Sequence, residues 1–140
     1  QSYQVHEIPS LDREFTVPRR FVEQVKPRAP YYDKPVVVLG GHWTGSMGEG
    51  IVIGMDAAAG AQTIVSDMGD LLGGLRNFNL QNSTARIDFG NEALFHVDGT
   101  PRENFSGDLY LRASDKGENG RDPALIAARE WLAKYLSGKL

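Results

Sequence analysis

The sequence contains no cysteine, which excludes disulfide bonds, thiol nucleophiles and thiolate metal sites. It also lacks long apolar runs. The longest, at 35–39 and 51–53, fall far short of the roughly 18 residues of a membrane-spanning helix. There is no basic stripe either, since 15 Lys and Arg stand against 18 Asp and Glu, for a net charge of -3. We therefore expect neither a membrane segment in this chain nor a nucleic acid partner, because binding to phosphates needs clustered cations.

The composition is that of an ordinary folded domain. Hydrophobic residues make up 41% of the 140 residues and charged residues 24%, which is enough for a packed core. The chain begins with glutamine, and its first ten residues have no charged or apolar region typical of a signal peptide. We expect it to be a processed or cloned piece of a longer protein.

Residues 1–34 predict an extended N-terminal arm, because prolines at positions 9, 18, 27 and 30 interrupt a mixed polar sequence. Within the arm, residues 19–26 could form two helical turns, with Phe21, Val22 and Val25 on one face. Residues 35–140 are predicted to form the domain itself.

The first part of this domain predicts a β-α-β unit. The β-branched run at 35–39 is typical of a parallel, central strand that is buried on both faces. Residues 45–59 carry apolar side chains at helical spacing, and Gly60 provides a stop. Three glycines inside this helix predict that its backbone packs closely against a sheet or another helix. Residues 62–65 then predict the second strand.

The second part predicts an α/β fold with additional antiparallel strands. A period of two predicts strands over 75–80 and 85–89, and a further short strand over 93–97 runs into the turn signal Asp98-Gly99. Residues 114–121 predict an exposed polar loop. Asp122 and Pro123 predict the start of a final helix, which ends at Gly138.

The candidate chemistry centres on Ser46, which lies where the first strand turns into the glycine-rich helix. A hydroxyl at a helix N-terminus lies beside unpaired backbone N–H groups that could stabilise an oxyanion, and the N–H of Met47 is the obvious donor. Ser46 and Glu49 also fit a capping box, in which the two residues satisfy each other's backbone donors. The residues alone leave both interpretations open, because the G-x-S-x-G pattern of a nucleophile elbow is absent.

Several blocks of the sequence, in order, resemble the C-terminal part of the catalytic domain in the tail-specific (C-terminal processing) peptidase and tricorn-core serine peptidase superfamily. They are PVVVLGG, the S-x-x-E core at 46–49, TIVSD, the glycine pair of LLGGL, VDGTPRE and RDPALIAAREWL. The resemblance covers most of the chain from about residue 35 and depends on the order and spacing of short motifs. It implies a ClpP/crotonase-like β-α-β core with additional antiparallel strands and a C-terminal helix. It slightly favours a periplasmic or secreted location.

The resemblance implies a serine peptidase that hydrolyses peptide bonds through an acyl-enzyme at Ser46, with the Met47 N–H in the oxyanion hole. A peptide or protein would be the substrate, and no metal or organic cofactor is implied. One branch of the superfamily uses a lysine base, but no lysine occurs between Lys34 and Lys116. The tricorn-like branch uses serine, histidine and a later glutamate, which the resemblance places at Glu103. The alternative for Glu103 is a solvated surface acid.

The histidine of that arrangement comes from an upstream region, and we expect it to lie outside this chain. The isolated chain would then show little or no turnover. His42, four residues before Ser46, is the alternative base, whereas His6 and His96 are interpreted as structural. Trp43 either shapes a substrate pocket or packs in the core.

The sequence also bears on a zinc site and on a non-catalytic binding domain. The histidines show no H-x-x-x-H or similar spacing, which argues against a zinc site. The rival to a peptidase is a non-catalytic peptide-binding or scaffold domain of the same fold. A homo-oligomer remains open.

Overall fold

The computed structural model describes residues 2–8, 19–71, 73–112 and 120–139. These residues form a mixed α/β structure with two sheets and two α-helices. Most of the polar loop predicted at 114–121 lies outside the described residues. The elements in chain order are β1 Ser2–Ile8, β2 Arg19–Gln24, β3 Val37–Gly40, α1 Met47–Ala59, β4 Gln62–Val65, β5 Gly73–Asn79, β6 Arg86–Phe95, a 3₁₀ turn Arg102–Asn104, β7 Leu109–Tyr110 and α2 Pro123–Leu136.

The predicted β-α-β unit is confirmed. β3 and β4 pair in parallel, with Val37 opposite Gln62, and α1 connects them. The helix ends at Gly60, which has the left-handed φ of 59° and donates its N–H to the carbonyl of Asp56. β7 then pairs in parallel with β4 and completes a sheet of order β3-β4-β7. A strand of two residues is too short to show a sequence period, so β7 was not predicted.

The prediction that the first strand is central is wrong. In the described residues β3 lies at the edge of its sheet, and Leu39 is 39% exposed. β4 is the central strand, and its Thr63, Ile64 and Val65 are buried. A run of β-branched residues indicates a strand with apolar faces, but it does not say how many neighbours the strand has.

The second sheet is antiparallel and has the order β2-β1-β6-β5. The pairing of β5 with β6 confirms the predicted antiparallel strands. The separate strand predicted at 93–97 is wrong, because β6 runs unbroken from Arg86 to Phe95. The turn signal is correctly placed, since Gly99 adopts a φ of 95° just after this strand.

The helical turns predicted at 19–26 are also wrong. This segment is β2, which pairs antiparallel with β1 from Ile8 opposite Arg19 to Ser2 opposite Gln24. β1 in turn pairs with β6. Apolar side chains at Phe21, Val22 and Val25 fit a helix face, but β1 supplies backbone partners that favour the strand. The N-terminal segment therefore contributes two strands to the antiparallel sheet.

Helix α1 joins the two sheets. Its buried residues include Val52 and Ile53, which pack with Ile64 in the core. On the other side it packs against β1. A Cβ at Gly50 would lie 3.4 Å from Oε1 of Gln4, which bears out the predicted close approach of the glycine-rich helix to a sheet.

Helix α2 begins as predicted. Asp122 is its N-cap, and its carboxylate accepts a hydrogen bond from the N–H of Ala124 at 2.9 Å. Within the described ranges, neither helix has the length and apolar character that crossing a bilayer requires.

Candidate active site

Ser46 lies at the sharp turn between β3 and α1 and has an unusual backbone. Its φ is 54° and its ψ is -117°, a combination that residues other than glycine rarely adopt. Such a residue stores about 1–3 kcal/mol of strain and persists only where its surroundings fix it. A serine held on a strained strand-to-helix turn is the geometry of a nucleophile elbow, although the glycine pattern of that motif is absent here.

The capping-box interpretation of Ser46 is wrong. The Ser46 side chain makes no capping hydrogen bond and is exposed. Glu49, the other half of the predicted box, is only 1% exposed and turns inward. Its Oε1 accepts a hydrogen bond from the N–H of Leu71 at 3.1 Å, and its Oε2 lies 3.3 Å from Nε of Arg102. The S-x-x-E spacing therefore leaves the hydroxyl available for chemistry.

The turn that carries Ser46 is held by a second loop. The N–H of Thr44 donates to the carbonyl of Gly41 at 2.6 Å, and the N–H of Gly69 donates to the carbonyl of Thr44 at 2.7 Å. A Cβ at position 69 would lie 3.2 Å from Cα of Gly45. This close packing of one backbone on another fixes the approach to Ser46.

Met47, the predicted oxyanion donor, is the first residue of α1. A backbone N–H in the first turn has no intrahelical partner, and it lies at the positive end of the helix dipole. Met47 is 70% exposed, so the start of the helix is accessible from solvent. The local arrangement can supply one oxyanion donor beside a nucleophile.

Ser46 and Met47 open onto a groove of about 660 Å³ between α1 and the antiparallel sheet. One wall is apolar and belongs to α1, with Ile51 and Met55. The other wall carries polar groups from the sheet. The strand residues that line the groove are Gln4, His6, Glu23, Gly73, Gly74, Leu75, Glu92 and Leu94, and Val25 and Arg102 line it from outside the strands.

His6 is the histidine that shares this groove with Ser46 among the described residues. Its side chain is 13% exposed, and its Nδ1 hydrogen-bonds the carboxylate of Glu92. Its Nε2 lies 2.9 Å from Oε2 of Glu23 and 3.0 Å from Nε2 of Gln4. Both imidazole nitrogens therefore face carboxylates. The contact of Nδ1 with Glu92 is of the kind that orients the histidine in serine hydrolase triads. Sequence reasoning missed His6 because it did not predict β1.

The other predicted site residues lie outside this groove. Glu103 is exposed and lines a separate cleft of about 280 Å³ that Ser46 does not line. His42 and Trp43 project from the turn, with their rings 5.0 Å apart in an edge-to-face contact. Trp43 is 94% exposed, so its interpretation as a core residue is wrong. His42 and Trp43 are close to Ser46 in sequence. Among the described residues, no hydrogen bond or ion pair joins either side chain to that of Ser46.

His96 lies at the far end of α1. Its Nε2 is 3.1 Å from Oδ2 of Asp56, and its Nδ1 is 3.0 Å from Oδ1 of Asp98. It therefore lies between the helix and the turn after β6, with Nε2 outside good hydrogen-bond geometry in the described residues. Among the residues that the structure describes, no group of three or more histidine and acidic side chains is placed to hold a metal ion.

No protein-family model matches the chain, and comparison with curated proteins gives no match.

Proposed function

We propose that the chain carries the nucleophile of a serine peptidase of the tail-specific or tricorn-like type. The observation that supports this most is the state of Ser46. Ser46 is exposed and uncapped on a strained turn, it lines a large groove, and the N–H of Met47 follows it at the start of the helix. The parallel β-α-β unit is compatible with a ClpP/crotonase-like fold, which we propose for the domain.

The proposed reaction begins when Oγ of Ser46 attacks the carbonyl carbon of a peptide bond. The Met47 N–H stabilises the oxyanion that forms, and the hydroxyl proton passes to a base and from there to the leaving amine. Water then hydrolyses the acyl-enzyme and regenerates the hydroxyl. No metal or organic cofactor has a role in this sequence of steps.

We assign the base to His6, because it lines the same groove and is oriented by Glu92. With Nδ1 on Glu92, Nε2 is the nitrogen that would take the proton. Nε2 now faces Glu23, so this carboxylate must move away before His6 can act. The alternative source of the base is a region outside this chain.

The test is covalent labelling with a fluorophosphonate. We expect the wild-type chain to be labelled and Ser46→Ala to lose the label. Ser106→Ala is the matched control, because Ser106 is also exposed but does not line the Ser46 groove; it should keep full labelling.

Two results would overturn the proposal. One is a label that survives Ser46→Ala, and the other is a wild-type protein that takes no label at any pH, alone or with longer sequence attached. The second result would favour a non-catalytic peptide-binding domain. That rival is supported by the apolar wall of the groove and by the engagement of Nε2 of His6 with Glu23.

A further inference from the structure

Arg102 is a buried cation placed behind the nucleophile turn. Only 3% of the residue is exposed, and its Nε lies 3.3 Å from Oε2 of Glu49. In the described part of the chain, its Nε and Nη2 have no partner in good hydrogen-bond geometry. Burial lowers the pKa of Arg102, and the neighbouring Glu49 carboxylate offsets part of this effect. A guanidinium in such a place is costly unless its charge is matched.

Glu49 connects this cation to the turn. It lies in the first turn of α1, three residues after Ser46, and its second oxygen accepts the N–H of Leu71. The side chain of Leu71 packs on the turn itself, because a Cβ at Gly45 would meet its Cδ1 at 3.0 Å. A continuous set of contacts therefore runs from Arg102 through Glu49 and Leu71 to the residue before the nucleophile.

These contacts surround the strained backbone of Ser46. A conformation that costs free energy is kept only where the surroundings over-determine it. The charge of the guanidinium, with Nε 3.3 Å from Oε2, attracts that oxygen of Glu49 and leaves Oε1 on the Leu71 N–H. The Leu71 bond joins the 66–71 loop to the first turn of α1, after Ser46. The bond from Gly69 to Thr44 joins the same loop to the chain before Ser46.

We infer that Arg102 is a positioning residue for the Ser46 nucleophile, acting through Glu49 and the N–H of Leu71. This inference rests on the proposed function for its kinetic readout. Arg102 also lines the Ser46 groove, so its loss affects both binding and reaction. The inference predicts that the reaction of Ser46 slows far more than the binding of a reagent weakens, since a misplaced Ser46 reacts more slowly.

The experiment measures the saturation kinetics of fluorophosphonate labelling in variants of the whole chain. Arg102→Met should lower the maximal labelling rate by about 100-fold, with a change of about threefold or less in the half-saturating concentration. Arg102→Lys should recover part of the rate, because it restores the charge but lacks the planar guanidinium. Arg86→Met is the matched control, because Arg86 pairs with Asp88 on the surface and should leave the rate unchanged.

A double variant separates positioning from folding. Glu49→Gln with Arg102→Met removes both charges and keeps a side-chain oxygen for the Leu71 N–H, so the protein should fold and label within about 10-fold of wild type. A maximal rate in Arg102→Met within about threefold of wild type would overturn the inference. So would a folded double variant as slow as the single variant.

Hydrogen exchange tests the same contacts without any reagent. Arg102→Met should speed exchange at the Leu71 amide, whereas the double variant and Arg86→Met should not. If wild-type protein takes no label, the proposed function fails, and the exchange measurement still decides the structural part of the inference. Unchanged exchange at Leu71 in a folded Arg102→Met protein would overturn that part too.

Discussion

At the scale of single residues, Ser46 is defined more by its backbone than by its neighbours in sequence. A φ of 54° with a ψ of -117° costs free energy for any residue that has a Cβ. The same hydroxyl on an unstrained helix start would turn to cap its own helix. The strain therefore presents the oxygen to the groove.

The strain can be measured by comparing two substitutions that both remove the hydroxyl. Ser46→Gly should be more stable than Ser46→Ala by about 1 kcal/mol, because relief of strain exceeds the entropic cost of glycine. Urea unfolding of the two variants measures the difference, and neither should be labelled by a fluorophosphonate. An alanine variant at least as stable as the glycine variant would mean that the turn is unstrained.

The position of Ser46 was predictable, but its state was not. The spacing of Ser46 and Glu49 is the same in a capping box and in this turn, and only the backbone angles separate the two. Glu49 turns inward because Arg102 and the Leu71 N–H meet it there. Both partners are distant in sequence, so no local pattern reports them.

At the scale of elements, the turn after β6 combines a sequence signal with a charged cluster. Asp98 accepts the backbone N–H of Thr100 at 2.7 Å and lies 3.0 Å from Nδ1 of His96. Hydrogen bonds from Thr100, followed by those from His96, lower the pKa of Asp98 from 3.8 to about 2. The folded protein therefore favours the ionised carboxylate.

This shift predicts how stability depends on pH. Because the pKa of Asp98 is lower in the folded state, the contribution of the Asp98 carboxylate to the free energy of unfolding is fully present above about pH 4. It is lost as the pH falls toward 2. Asp98→Asn should lose less stability than wild type between these pH values, as judged by urea midpoints. Asp33→Asn is the control, an equal change of charge at an exposed residue, and should follow wild type. Identical curves for all three proteins would contradict the prediction.

Predictions of single helices and strands succeeded where the spacing of apolar residues and the local start and stop signals agreed. α2 has an aspartate N-cap, a first-turn proline and helical spacing, and all three signals lie in or next to the helix. β2 failed because the apolar spacing of residues 19–26 fits a helix as well as a strand. Its backbone partners are on β1, which the sequence did not reveal.

At the scale of the whole molecule, the groove forms where α1 faces the antiparallel sheet. The wall opposite the helix comes from β1, β2, β5 and β6, which lie on both sides of Ser46 in the sequence. The sequence could therefore predict the α/β class and the place of Ser46 at a strand-to-helix turn, whereas the residues across the groove depend on the order of strands in the antiparallel sheet.

The two carboxylates around His6 should affect labelling in opposite directions. Glu92→Gln should slow the reaction of Ser46 by about 10-fold or more, because the Glu92 carboxylate orients the imidazole. Glu23→Gln should speed it, because a neutral amide holds Nε2 less strongly than a carboxylate does. The two variants change charge equally, and each is the other's control. Rates lowered equally, or not at all, would remove His6 as the base.

The packing of Gly69 on the serine turn has a consequence for how this protein can evolve. Any side chain at position 69 would meet Cα of Gly45 and the carbonyl oxygen of Thr44 at 3.2 Å, so the neighbouring backbone would have to shift with it. Substitutions in the two loops are therefore coupled, because a side chain at position 69 is accommodated only where the backbone at Thr44 and Gly45 can give way.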